Sequence, residues 1–272
     1  MIKKNIIVTG GTDGIGLAIV KKLMDQNHNI FVIGKNAIKG NNLLNSLNYS
    51  NLEFIQCDLS EKNEVENLIK KIKNFKSVDS LINNAGAIFL KRTTNNNGVE
   101  KTFALNHLSY FHLSLGLLEL LEKSNDGRII NVASNAHKRY LLDINDLENS
   151  INYGGWKAYC KSKLLNILFT YSFNKEIETK VKCNCLHPGF VNSNFGNNNS
   201  TFYRFFVNII KELLAINTEK ASITPVYLAT SNDAINTSGK YFYNLKEKIS
   251  SKQSYNNALA KEVWQKSLEY IK

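Results

Sequence analysis

Tyr159 and Lys163 stand four residues apart in a stretch of helical periodicity, so both project from one helical face about a turn from each other. A cation that close favours the phenolate. Tyrosine's reference pKa is about 10 and each unit of depression is worth ~1.4 kcal/mol, so a lysine neighbour brings a phenol toward general acid and base work. Such a pair is commonplace on solvated helices, and it gains meaning from a second set of residues. Thr9-Gly10-Gly11-Thr12-Asp13-Gly14-Ile15-Gly16 lies between an apolar, β-branched run (Asn5 to Thr9) and a helix-periodic one (Leu17 to Gln26). Glycines at that junction let the backbone turn sharply and bring a pyrophosphate against the first N–H groups of the helix. Lys35 then follows the apolar run Ile30 to Ile33 with no acid beside it. A cation there favours the 2′-phosphate of NADP(H) over the 2′-hydroxyl of NAD(H), although Asp13, near the same ribose, would repel a phosphate.

The elements that must position these residues follow from the rest of the pattern. Short apolar runs recur at Leu52 to Gln56, Leu81 to Asn83, Arg128 to Val132 and Val181 to Leu186, with helix-like stretches between them such as Glu61 to Phe75 and Asn106 to Glu122. Strictly alternating strands and helices predict an α/β fold, a doubly wound parallel sheet of Rossmann type. With 272 residues, 43% hydrophobic content and only 2 prolines, the chain reads as one domain with a single core. Disordered, collagen-like and repeat classes are excluded by the same composition. No window approaches the roughly 18 apolar residues of a spanning helix, and no signal peptide is read at the N-terminus.

Cys57, Cys160, Cys183 and Cys185 lack the paired spacing of a zinc site and read as reduced thiols of a cytoplasmic protein. The five histidines are scattered and not spaced as metal ligands, so no metal is expected. Lys+Arg 34 against Asp+Glu 23 gives a net charge of +11, but the lysines come singly or in pairs amid asparagine. They form no aromatic-interleaved stripe, which argues against nucleic acid.

Taken together, TGGTDGIG, Asn83-Asn84-Ala85-Gly86 after a strand, Ser134 at the end of another, Tyr159 with Lys163, and Pro188-Gly189 resemble the short-chain dehydrogenase/reductase family. Leu105-Asn106-His107-Leu108, Ala136-His137 after Ser134, and His187-Pro188-Gly189-Phe190-Val191 resemble its retinol dehydrogenase-like branch, and the likeness covers nearly the whole chain. The gap from Ser134 to Tyr159 is longer than in many members, as that branch has it. Ala133 stands where a serine often precedes the reactive one.

The resemblance implies a catalytic set of Ser134, Tyr159, Lys163 and Asn106. In it Tyr159 exchanges a proton with the carbonyl or alcohol, Ser134 hydrogen-bonds the reacting oxygen, Lys163 tunes Tyr159 and binds the nicotinamide ribose, and Asn106 holds a helix kink. It further implies a cofactor set of Gly10, Thr12, Asp13, Gly14, Ile15, Gly16, Lys35, Asp58, Leu59, Asn84, Ala85, Gly86, Tyr159, Lys163, Pro188, Gly189, Val191 and Ser193. Residues 194–216 would form a helical substrate lid, with Phe202, Phe206, Ile209, Ile210 and Leu213 at helical spacing. The expected activity is hydride transfer between NADP(H) and a lipophilic carbonyl or alcohol, retinal-like, aldehyde or ketone. A catalytically idle NAD(P)-binding scaffold or redox sensor is the alternative. Peripheral membrane contact and a homodimer are compatible with this reading.

Overall fold

A computed structural model of the chain describes residues 3–189 and 218–272. The expected lid at 194–216, and with it Val191 and Ser193, lies outside the described residues. The chain opens with β1 (Asn5–Thr9), α1 (Gly14–Asp25), β2 (Asn29–Gly34), α2 (Ala37–Leu47), β3 (Leu52–Gln56), α3 (Lys62–Ile72) and β4 (Ser80–Asn83). A helical run follows, made of α4 (Lys101–Phe103), a π-helical stretch at Ala104–Leu108 and α5 (Ser109–Gly116), with α6 (Leu118–Lys123) beyond it. β5 (Arg128–Val132), α7 (Gly155–Glu176), β6 (Lys182–His187), α8 (Thr218–Thr230), β7 (Tyr241–Tyr243), β8 (Lys246–Glu247) and α9 (Asn257–Ile271) complete the described part.

The strands form one sheet in the order β3-β2-β1-β4-β5-β6-β7-β8. Every pairing is parallel except β7 with β8. The chain leaves β3 on one side and returns beside β1 as β4, so the order reverses between β1 and β4. In such a sheet ligands bind in the crevice at the carboxyl ends of the strands, where that reversal opens it.

Helices cover both faces, which is why the central strands are apolar on both sides. Ile7, Leu81, Ile129 and Cys183 pack with Leu68, Phe111, Leu113 and Phe169 of α3, α5 and α7 on one face. Ile6, Val8, Ile82 and Ile130 pack with Ile19, Val20, Leu23 and Leu228 of α1 and α8 on the other. Burying each of these side chains completely contributes about 1.5–3 kcal/mol. A third cluster joins Phe103, Leu164 and Leu168 to Ala260 and Val263 and seats α9 against α7.

The helices begin where local side chains satisfy their first N–H groups. Asp13 caps α1 through Gly14 N, and Asn36 caps α2 through Lys39 N. Glu100 caps α4 by accepting from both Thr102 N and Phe103 N, at 2.7 and 2.8 Å.

Candidate active site

Six loops stand at the carboxyl edge of the sheet: residues after β1, β2, β3, β4, β5 and β6. The glycine loop after β1 is held close to the β4 loop. Thr9 Oγ1 accepts from Asn84 N and Ala85 N at 2.8 and 3.0 Å, and Asn84 Nδ2 donates to Thr9 O at 2.9 Å. A Cβ on Gly16 would lie 2.1 Å from Gly10 O, and one on Gly10 would lie 2.9 Å from Ala85 Cα, so neither position accepts a side chain. Gly14, at φ +53, has nothing within 4 Å of where a Cβ would stand. Tight glycines under an open one, at the N-terminus of α1, make a cradle into which a pyrophosphate fits.

Beside this cradle, after β2 and β3, Lys35 Nζ sits 2.6 Å from Asp58 Oδ2. Burial pushes the Asp58 carboxyl up, but hydrogen bonds from Lys35 and Ser60 outweigh it and hold the group below its ordinary value. Lys39 Nζ meets Asp13 Oδ2 at 2.5 Å, and this bond with that from Gly14 N keeps the Asp13 carboxyl low. The sequence reading names Lys35, Asp13 and Asp58 here but misses Lys39. The signal was its place in the first turn of α2, three residues after the capping Asn36. Asn36 Oδ1 is committed to that cap, accepting from Lys39 N at 3.0 Å. Leu59 is buried in the core rather than facing the crevice alone.

The expected catalytic residues are brought together at the β4, β5 and α7 end. Asn106 lies inside the π-helical stretch and its side chain clasps the β4 loop: Oδ1 accepts from Ala87 N and Nδ2 donates to Ala87 O, both at 2.9 Å. Its own carbonyl accepts from Asn166 Nδ2 of α7 at 2.8 Å. A Cβ on Gly86 would lie 3.3 Å from Asn106 Oδ1 and 3.5 Å from Lys163 Nζ, so the absent side chain keeps the lysine reachable from the crevice.

Lys163 is buried, and its ammonium donates to Val132 O at 2.9 Å at the end of β5. It also stands over the rings of Tyr110 and Tyr159, at 5.5 and 5.6 Å from their centroids. Tyr110, absent from the sequence reading, ties the site together by donating from its hydroxyl to Ala85 O at 2.9 Å.

Ser134 lies two residues beyond β5 and caps a short 3-10 turn, Asn135–Arg139, its Oγ accepting from Ala136 N at 3.2 Å. That leaves the hydroxyl proton to point elsewhere, and the Ser134 side chain hydrogen-bonds the Tyr159 phenol. Burial pushes Tyr159 up to about 12 against that bond, and burial alone brings Lys163 down to about 7. The spacing predicts a depressed phenol. It is raised here because the Lys163 head group is spent on Val132 O while the site is desolvated. Tyr159 therefore carries its proton at neutral pH. Trp156 stacks on it, ring centroids 5.6 Å apart, and gives the site an apolar flank.

Pro188 and Gly189 follow β6, with Gly189 at φ +106. All four cysteines are free and buried. Among the described residues no cluster of three His, Cys, Asp or Glu side chains is arranged to hold a metal ion, and no helix is long and apolar enough to cross a membrane.

Residues 4–203 match the family model described as short chain dehydrogenase. Human polyprenol dehydrogenase is 31% identical over 97% of this chain and 83% of its own length, and human retinol dehydrogenase 13 is 32% identical over 98% and 84%. Among solved structures, an uncharacterized protein from Mycobacterium paratuberculosis superposes with a TM-score of 0.81 at 21% identity, covering 98% of this chain and 93% of that one. An NADP complex of Pseudomonas aeruginosa RhlG gives 0.66 at 24% identity, over 88% and 93%.

Proposed function

The chain belongs to the short chain dehydrogenase family, oxidoreductases acting on alcohol and carbonyl groups, and on that premise we propose that it exchanges hydride between NADP(H) and a lipophilic carbonyl or alcohol. The observation that carries this reading is the convergence of Ser134, Tyr159, Lys163 and Asn106 on the crevice beside Gly86. When bound, the dinucleotide supplies the hydride. The glycine loop would hold its pyrophosphate, the segment at Asp58 and Leu59 would lie toward its adenine, and Lys163 and Asn84 to Gly86 would border the ribose and nicotinamide end.

Tyr159, protonated at rest, gives its hydrogen to the carbonyl oxygen as that oxygen takes up charge. The Ser134 hydroxyl donates to the same oxygen, and Lys163 stabilises the phenolate left behind. Asn106 keeps the β4 loop, and with it Gly86, against the lysine. Lys35, just after β2, and Lys39, in the first turn of α2, offer two cations that Asp58 and Asp13 hold in place, which supports NADP(H) over NAD(H). The Trp156 flank supports an apolar substrate. So do relatives more than 30% identical that are named for polyprenol and retinol, both alcohols with long apolar tails. The same reading has the protein work in the cytoplasm, meeting such substrates at a membrane surface to which its +11 charge is drawn.

Tyr159→Phe tests the proposal. Turnover of NADPH with medium-chain and ring aldehydes should fall by about two to four decades, the scale of a lost general acid, with NADPH affinity nearly unchanged. Undiminished turnover in this variant would leave the idle scaffold as the better reading. A wild-type preference for small polar carbonyls would remove the lipophilic assignment.

A further inference from the structure

His137 lies inside the turn that Ser134 caps, and the mechanism above gives it no task. It is fully buried, with its ring edge-on to Tyr241 at 5.3 Å. Its two nitrogens are both engaged with backbone. Nε2 lies 3.0 Å from Ser251 N, and Nδ1 lies 2.7 Å from Ser134 O. A backbone N–H can only donate and a carbonyl oxygen can only accept, so the partners fix the tautomer: Nε2 is bare and Nδ1 carries the proton. The Ser134 carbonyl thus accepts from the His137 ring as well as from His137 N at 3.2 Å.

The far end of this link is itself anchored. Ser250 Oγ bonds Tyr171 Oη of α7 at 2.7 Å, and Ser250 N donates to Tyr255 Oη at 3.1 Å. Gln253 ties the same segment to the loop beyond the turn, accepting from Leu142 N at 3.1 Å and donating to Tyr140 O at 2.5 Å. A segment some 110 residues further along the chain therefore reaches back, through one imidazole, to the backbone of Ser134.

We propose that His137 is a positioning residue for Ser134: it pins the Ser134 carbonyl so that the turn holds Oγ against Ala136 N and aims the hydroxyl proton at Tyr159 and the reacting oxygen. The proposal rests on the reading that Ser134 acts on a substrate carbonyl. A misplaced donor loses rate rather than affinity, because the hydrogen bond it makes matters most once charge has built up on the oxygen.

Three substitutions separate the two ends of the link. His137→Phe keeps a ring against Tyr241 and loses both bonds. His137→Asn offers an amide donor at the Nδ1 position, and His137→Gln offers an acceptor toward Ser251. In His137→Phe, kcat should fall about tenfold or more while the KM for the carbonyl and the NADPH affinity stay within about twofold. His137→Asn should recover most of the rate, and His137→Gln should recover melting temperature without the rate. A His137→Phe variant with kcat within about twofold of wild type overturns the proposal, as does a rate that tracks melting temperature across all three.

A nitrogen-15 NMR spectrum of the wild-type histidines reads the link without any turnover. The His137 ring should show a protonated Nδ1 and a bare Nε2 at neutral pH, and the opposite tautomer refutes the pin. Failure of the functional reading shows separately, as wild-type protein without turnover that depends on Tyr159.

Discussion

Lys35 and Lys39 reach the end of the crevice proposed for the adenosine from neighbouring turns of chain, each with a carboxylate already against its ammonium group. Both ammonium groups are exposed, although Asp58 is not, so each lysine can leave its carboxylate for a phosphate at small cost. Asp58 also holds Ser60 N and Oγ, at 3.0 and 2.7 Å, and keeps its place if Lys35 turns away. Asp13 likewise keeps its bond to Gly14 N at 2.7 Å. On the proposed NADP(H) reading, selection of the 2′-phosphate is shared between two lysines. Lys35→Ala and Lys39→Ala should each raise the NADPH dissociation constant by about tenfold, the scale of one charge-assisted bond, and leave that of NADH near its original value. Asp13→Asn should tighten NADPH, since it removes the like charge. Equal weakening of both cofactors in fluorescence titrations would make the lysines ordinary surface cations. The position of Lys35 was legible because it directly follows a strand. The position of Lys39 was not, because it depends on how the cap at Asn36 turns the first residues of α2.

At the scale of elements, β5 carries the site at one end and a clamp at the other. Arg128 opens the strand at the amino edge of the sheet, fully buried, with Nε and Nη2 on the two oxygens of Asp126 at 2.7 and 2.6 Å. Its Nη1 donates to Leu228 O and Ser231 O at 2.9 and 2.8 Å, so one guanidinium ends α8 and fixes it to the sheet. Arg128→Met strips two buried carbonyls of their donor and leaves Asp126 to Lys4 alone, at 2.6 Å. It should cost about 3–5 kcal/mol in urea unfolding. NADPH affinity of the folded variant should hold, because the crevice lies at the opposite edge, and a change in affinity larger than that in stability would show coupling along the strand. The short buried strands were readable since parallel strands covered on both faces are apolar throughout. β7 and β8 were not read as strands: Tyr241–Tyr243 is three residues long, and the turn after it uses Asn244 and Leu245 at φ 50 and 64 rather than glycine. The helix expected from Asn106 to Glu122 starts instead at Lys101, because Glu100 caps it, and breaks at Leu117. Its π-helical stretch follows from the clasp of Asn106 on Ala87, a long-range contact that no local pattern encodes.

Across the whole molecule, the buried bases make folding and protonation compete. All five histidines are held below their ordinary range, and burial is the first cause for each. His107, His137 and His187 fall from 6.5 to about 4, and Lys163 from 10.5 to about 7. Each of these groups binds its proton more tightly in the unfolded chain than in the folded one. Stability therefore rises with pH through the window between the folded and unfolded values, and falls as pH drops through it. For Lys163 that window runs from about 7 to 10.5, and for the three histidines from about 4 to 6.5. Each of those histidines can withdraw up to ~3 kcal/mol by the bottom of its window, and the net charge of +11 adds self-repulsion as more protons bind. The paired carboxylates Asp58 and Asp126 work in a lower range, since they lose their stabilisation only when the pH falls below the ordinary carboxylate values. The chain should accordingly be most stable on the alkaline side of neutral. Urea unfolding at pH 5 should show a free energy lower by ~3 kcal/mol or more than at pH 8.5, with uptake of about three protons on unfolding near pH 5. Equal midpoints at the two pH values would mean that these imidazoles reach water in the folded protein. His107→Asn should flatten the acid slope by about one proton, because it removes a buried imidazole that hydrogen-bonds Asn166 and Ser267 and titrates only on unfolding.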